Sequence, residues 1–122
     1  MFGRLTSIAA LRWAFWSCAV VVLVLALIPP SRYMPSTPWD KLNHALAFAV
    51  LAVLAIWSYR TRVAVMLTGL LVYGGLIELL QGLTPYRSAE WGDWLADAVG
   101  LALGWQLARM TARARRPAES AE

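Results

Sequence analysis

Four long apolar blocks separated by short polar connections constrain this chain more than any other feature. They run over Ile8–Ile28, Leu42–Ser58, Val63–Leu83 and Trp91–Met110, 17 to 21 residues each. A helix needs about 20 such residues to cross a hydrocarbon core about 30 Å thick. The blocks are apolar all round rather than along one stripe, which argues against a small soluble bundle. Composition agrees, because 60% of the 122 residues are hydrophobic and only 15% are charged; a soluble domain carries more charge. The expected fold is all-α: a polytopic membrane protein with four transmembrane helices in an antiparallel bundle. One domain covers residues 1–110, and residues 111–122 form a short basic and polar cytoplasmic tail.

The connections supply start and stop signals. Arg4 and Arg12 precede the first block, but Pro29-Pro30 follows it and no small-residue cleavage pattern stands out, so an uncleaved signal anchor is expected. Proline lacks an amide proton and biases its predecessor away from helix, so the first helix should end there. After the polar connection Ser31–Ser36, Thr37 reads as an N-cap, with Pro38 in the first helical position and Asp40 in the third. Tyr59–Arg62 is a basic turn, Thr84-Pro85 stops the third helix, and Ser88 is the expected cap of the fourth, with Glu90 in its first turn. The single Cys18 allows no intrachain disulfide.

Basic residues give the orientation. With the N-terminus inside, Arg4, Arg12, Arg60, Arg62, Arg109, Arg113, Arg115 and Arg116 are cytoplasmic, leaving only Arg32, Lys41 and Arg87 outside. That division follows the positive-inside rule and places both termini in the cytoplasm of a multi-pass cell-membrane protein. The net charge of +4 then reads as a cytoplasmic anchor beside anionic lipid, not as a nucleic-acid surface.

Depth makes the polar residues informative. The stretch Gly74–Gly104 leaves one apolar block, turns, and re-enters another, carrying Glu78, Gln81, Arg87, Glu90, Asp93 and Asp97. His44 lies about 6 Å inward of Asp40, Asp97 about 6 Å inward of Asp93, and Glu78 about 7.5 Å from the end of its block, at 1.5 Å per residue. Three helices thereby bring an ionisable group to one level below the outer surface, under a mouth of Asp40, Lys41, Arg87, Glu90 and Asp93. Ionisable residues at such depth face a bundle interior or a wet cavity. The small residues Gly74 and Gly82, and the stripe Ala96, Gly100, Gly104 and Ala108, would let the helices approach closely.

Glu78, His44 and Asp97 are the catalytic candidates, since a carboxylate pair with an imidazole can donate and accept protons near neutral pH. Asp40, Lys41, Gln81, Arg87 and Asp93 are the ligand-binding candidates; arginine holds an anion through two donors and lysine as a point charge. No metal site or cofactor is implied by spacing, and Glu78, Asp93 and Asp97 are the oxygen ligands that a divalent cation would use.

These same residues carry a resemblance. Asp40-Lys41-x-x-His44, Ile77-Glu78-Leu79-Leu80-Gln81, Arg87 and Asp93-x-x-Ala96-Asp97-x-x-Gly100 together resemble the VanZ-like family of small integral membrane proteins. The family often has asparagine where this chain has Asp97. The resemblance implies a cell-envelope membrane protein, and the founding member is associated with low-level resistance to the glycopeptide teicoplanin. The expected function is an externally facing polar pocket that binds or modifies an envelope molecule, with an anionic lipid headgroup or envelope glycolipid as partner. Two other readings stand beside it: a small proton- or ion-coupled transporter, and an assembly subunit whose polar cluster only locks the helices.

Overall fold

The computed structural model describes residues 2–29, 38–59 and 62–114. Among these there is no strand, and the chain forms α1 (Phe2–Leu27), α2 (Pro38–Ser58), α3 (Val63–Leu83) and α4 (Trp91–Ala114). Each apolar block is thus one helix. α1 starts well before Ile8, because Arg4, Thr6 and Ser7 interrupt the apolar run but not the hydrogen-bonded turns. The expected cap Thr37, the connection Ser31–Ser36, the side chain of Asp40 and residues 115–122 of the tail lie outside the described residues.

Local chemistry explains the helix ends. Thr84 is extended, at φ −85° and ψ 144°, as the residue before Pro85 prefers. Its amide and its hydroxyl both donate to the Gln81 carbonyl, at 3.1 and 2.7 Å. Ser88 does not cap α4. The Glu90 carbonyl accepts the Asp93 and Trp94 amides at 3.1 and 3.5 Å, so Glu90 occupies the capping position and Ser88 lies exposed before it.

Three helices, α1, α2 and α3, are long and apolar enough to cross a membrane. α4 is similar in length but carries Asp93, Asp97, Gln106 and Arg109, which lower its mean hydropathy. Large apolar side chains cover the outside of all four: Val24, Leu46, Leu79 and Val99 are each more than half exposed. A surface so continuously apolar suits lipid rather than water.

Around the bundle the order is α1, α2, α4, α3; α2 also reaches across to α3, whereas α1 and α4 do not touch. Phe15, Phe48, Leu51, Leu70, Ile77 and Leu101 fill the core. The closest pairing is α2 with α4, and small residues make it so. Ala96, Gly100, Gly104 and Ala108 line one face of α4. A Cβ at Gly100 would strike the Ala45 carbonyl oxygen, and one at Gly104 would strike the Ala49 carbonyl oxygen and come within 2.8 Å of the Ala52 methyl. Backbone packed on backbone is what small-residue stripes permit in lipid. The stripe therefore faces α2, while α3 and α4 are neighbours joined by the residue 84–90 connection.

α1 meets α3 and the connection after it through its own carbonyls. Tyr73 donates its hydroxyl to the Ala19 oxygen. Gln81 Nε2 donates to Ala26 O at 2.9 Å and the Tyr86 hydroxyl to Leu27 O at 2.9 Å. Arg87 Nε and Nη2 donate to Ile28 O at 3.2 and 3.0 Å. The last carbonyls of a helix have no partner within it, and Pro29 prevents its continuation, so side chains from α3 and the following connection satisfy them.

Candidate functional site

The site follows from the α2–α4 contact. His44 directly precedes Ala45 on α2, and Asp97 lies one turn before Gly100 on α4. Bringing Gly100 against Ala45 therefore brings the imidazole to the carboxylate, with His44 Nδ1 2.9 Å from Asp97 Oδ1. Asp97 is fully buried. Gly74 of α3 leaves the room for it: a Cβ there would lie 2.6 Å from Asp97 Oδ2 and 3.3 Å from the Phe48 ring.

Glu78 follows Gly74 by one turn on the same face of α3 and is 6% exposed. Its Oε2 accepts the backbone amide of Glu90 at 3.0 Å. An acidic group at a helix N-terminus meets unsatisfied amides and the positive end of the dipole, so this bond ties α3 to the start of α4. One donor atom each from His44, Glu78 and Asp97 lie within 4.8 Å of one another. Glu78 Oε1 and Asp97 Oδ2 are buried without a hydrogen-bond partner.

A second polar layer sits nearer the end of the bundle. Lys41 Nζ bridges Glu90 Oε2 at 3.2 Å and Asp93 Oδ1 at 3.4 Å, with about half of the lysine exposed. Asp93 Oδ2 is 4.0 Å from His44 Nε2. His44 and Asp93 also line a cavity of about 500 Å³ together with Gln81 and Arg87, on an apolar wall that includes Val22, Leu25, Phe48 and Ile77.

A family model, VanZ/LLP1, matches residues 2–112. The chain belongs to the VanZ/LLP1 family. No curated protein and no solved structure matches it.

In this VanZ/LLP1 chain the match takes in all four helices and therefore every residue of both polar layers. Of the expected residues, His44, Glu78 and Asp97 gather in one cluster. Lys41 and Asp93 form the layer above it, and Gln81 and Arg87 face the adjoining cavity. The Arg87 guanidinium is held by Ile28 O, because a helix end stopped by proline leaves that oxygen without a partner. His44 joins Glu78 and Asp97 in the tight group, because the glycine contact draws α2 onto α4 at that turn.

Sequence reasoning missed the Glu78–Glu90 amide bond and the capping roles of Gln81, Tyr86 and Arg87. The first had a signal in the short α3–α4 connection, which folds the start of α4 back over the last turns of α3. The second had one in Pro29-Pro30, which leaves orphan carbonyls that some donor must meet.

Chemically, the VanZ/LLP1 cluster offers an imidazole and two carboxylates in a dry setting. Counting both layers among the described residues, the four carboxylates Glu78, Glu90, Asp93 and Asp97 stand with the Lys41 ammonium and the imidazole. The site is a net acceptor of positive charge.

Proposed function

We propose that this VanZ/LLP1 protein is a four-span antiparallel bundle in the cell membrane, its single domain covering residues 1–110 and both termini cytoplasmic. In this arrangement the cavity opens toward the outer leaflet and binds the polar headgroup of an envelope lipid or glycolipid. The observation that carries the reading is the composition of the cavity wall. The lining combines the donors Arg87 and Gln81, the pair His44 and Asp93, and the apolar Val22, Leu25 and Ile77. A volume of about 500 Å³ is in the range of small-molecule sites, which are mostly apolar with a few placed polar groups. An amphiphile with a charged head matches such a lining, and Arg87 can hold a phosphate or carboxylate oxygen while retaining its bond to α1.

Ala47 also lines the cavity, so Ala47→Phe should fill it without removing a charge. Lipids retained through purification are identified by native mass spectrometry of the wild-type protein and of this variant. The wild type should carry a defined polar lipid that the variant loses while keeping its unfolding temperature. Equal retention by both, or no retained lipid in the wild type, removes the proposal. In cells, the phenotype to which the family resemblance points is teicoplanin susceptibility, measured in a deletion strain complemented with each form.

One observation favours a helix-locking role instead: the His44–Asp97 bond lies at the tightest helix contact. Under that reading Asp97→Asn, which can still accept from His44, leaves all function intact.

A further inference from the structure

We propose that His44, Glu78 and Asp97 form a binding site for one divalent transition-metal ion of the zinc or manganese class, held between α2, α3 and α4. The inference starts from two atoms that the fold leaves unsatisfied. Glu78 Oε1 and Asp97 Oδ2 are buried and have no partner, on residues that are 6% and 0% exposed. Buried polar groups are nearly always hydrogen-bonded, and buried charges are paired or bind metals. Here Lys41 is half exposed and engaged by Glu90 and Asp93, and Arg87 is bound to Ile28 O. A dication in the cluster neutralises both carboxylates and gives the two orphan oxygens a ligand role at once.

The surroundings are arranged as a metal site needs. Each ligand comes from a different helix, and the donor atoms lie within 4.8 Å of one another. Bonds of about 2.0–2.2 Å to nitrogen and oxygen place ligands about 3–4 Å apart, so rotations of the side chains by about 1 Å close the set. The Glu90 amide fixes Glu78 Oε2, which leaves Oε1 as the free donor. Asp93 Oδ2, 4.0 Å from His44 Nε2, is placed to accept the proton of that nitrogen when Nδ1 is the ligand, the usual outer-shell partner of a metal-bound histidine. An imidazole beside two carboxylates selects zinc, manganese or iron(II) over magnesium and calcium, which prefer all-oxygen shells.

The test uses the full chain carrying an affinity tag free of histidine, purified in detergent, stripped with chelator and titrated with ZnCl2 or MnCl2. Calorimetry should give one equivalent per chain, with a rise in unfolding temperature. Glu78→Gln and Asp97→Asn are isosteric and should keep the metal-free unfolding temperature, yet each should weaken binding by about tenfold or more, since even outer-shell changes cost about that much. His44→Ala should in addition abolish the visible absorption of the cobalt(II)-loaded protein. Arg109→Gln changes an exposed charge about 18 Å along α4 from Asp97 and should bind as the wild type does. No binding by the wild type, equal binding by Glu78→Gln and Asp97→Asn, or tighter binding of MgCl2 or CaCl2 would each overturn the proposal. The measurement contains no added envelope lipid, so its failure is distinct from failure of the cavity reading.

Discussion

Replacing Gly100 with alanine adds one methyl group at the point where α4 rests on the backbone of α2. That methyl would overlap the Ala45 carbonyl oxygen and lie 2.8 and 2.9 Å from the Ala45 carbonyl carbon and Cα. Ordinary contact between carbon atoms is about 3.5–4.0 Å, so α2 and α4 must separate by about 1 Å. The three nearest atoms are all backbone, and none can rotate aside. Such overpacking costs about 1–3 kcal/mol. The same movement stretches the His44–Asp97 bond from 2.9 Å beyond hydrogen-bond reach, costing about 0.6–1.7 kcal/mol for an interhelical bond in a membrane. Against this, alanine is the better helix former by about 0.8–1 kcal/mol. The last two effects nearly cancel, leaving a net loss of about 1–3 kcal/mol. Gly69 provides the matched comparison. It lies in α3 with nothing within 4 Å of an added Cβ, so Gly69→Ala should stabilise by about 0.5–1 kcal/mol. Reversible unfolding in mixed micelles, followed by tryptophan fluorescence, measures both. The chain has one histidine, so selective nitrogen labelling reports the state of its hydrogen bond independently. If Gly100→Ala is as stable as Gly69→Ala, or keeps an unchanged imidazole signal, the backbone contact does not position the site.

Gly104→Leu should reduce folded yield in detergent far more than Val99→Leu, because Gly104 abuts the Ala49 backbone whereas Val99 is exposed; equal yields would mean that the stripe faces lipid. Gln81→Leu removes the donor to Ala26 O and should destabilise by about 1–3 kcal/mol, the cost of a buried acceptor left unpaired; an unchanged unfolding curve would refute that role. In a Cys18→Ala background, a cysteine at position 87 should react with an impermeant thiol reagent from outside the cell, and labelling only from the cytoplasmic side would reverse the proposed topology.

The sequence carried the helices well, because an apolar run of membrane length has few other uses. It also carried the level of the site: counting residues inward from Asp93 and from Leu83 puts Asp97 and Glu78 at one height, and the rise per residue leaves little room for error. Partners were harder to read. The Gly100–Gly104 stripe shows which face of α4 is packed, but periodicity does not say that α2 is the helix packed there. The destination of Arg87 was hidden for a similar reason. A flexible guanidinium near two carboxylates suggests an ion pair, yet the unpaired carbonyl of Ile28 competes for it, and that competition is visible only once α1 is placed beside α3. Ser88 looked like a cap by composition, while the cap position went to Glu90, whose amide is wanted by Glu78.

The mode of attachment of α1 bears on how freely its residues can change. Among the described residues, the hydrogen bonds it receives from α3 and the connection after it all end on main-chain oxygens, at Ala19, Ala26, Leu27 and Ile28. Main-chain oxygens are present whichever amino acid occupies those positions, so this docking is blind to side-chain identity. Substitution at 26, 27 or 28 by other apolar residues should leave α1 in place, whereas the donors Tyr73, Gln81, Tyr86 and Arg87 have no such latitude. Mutational tolerance is therefore lopsided across this one interface: the gripped end of α1 can drift in sequence, and the residues that grip it cannot.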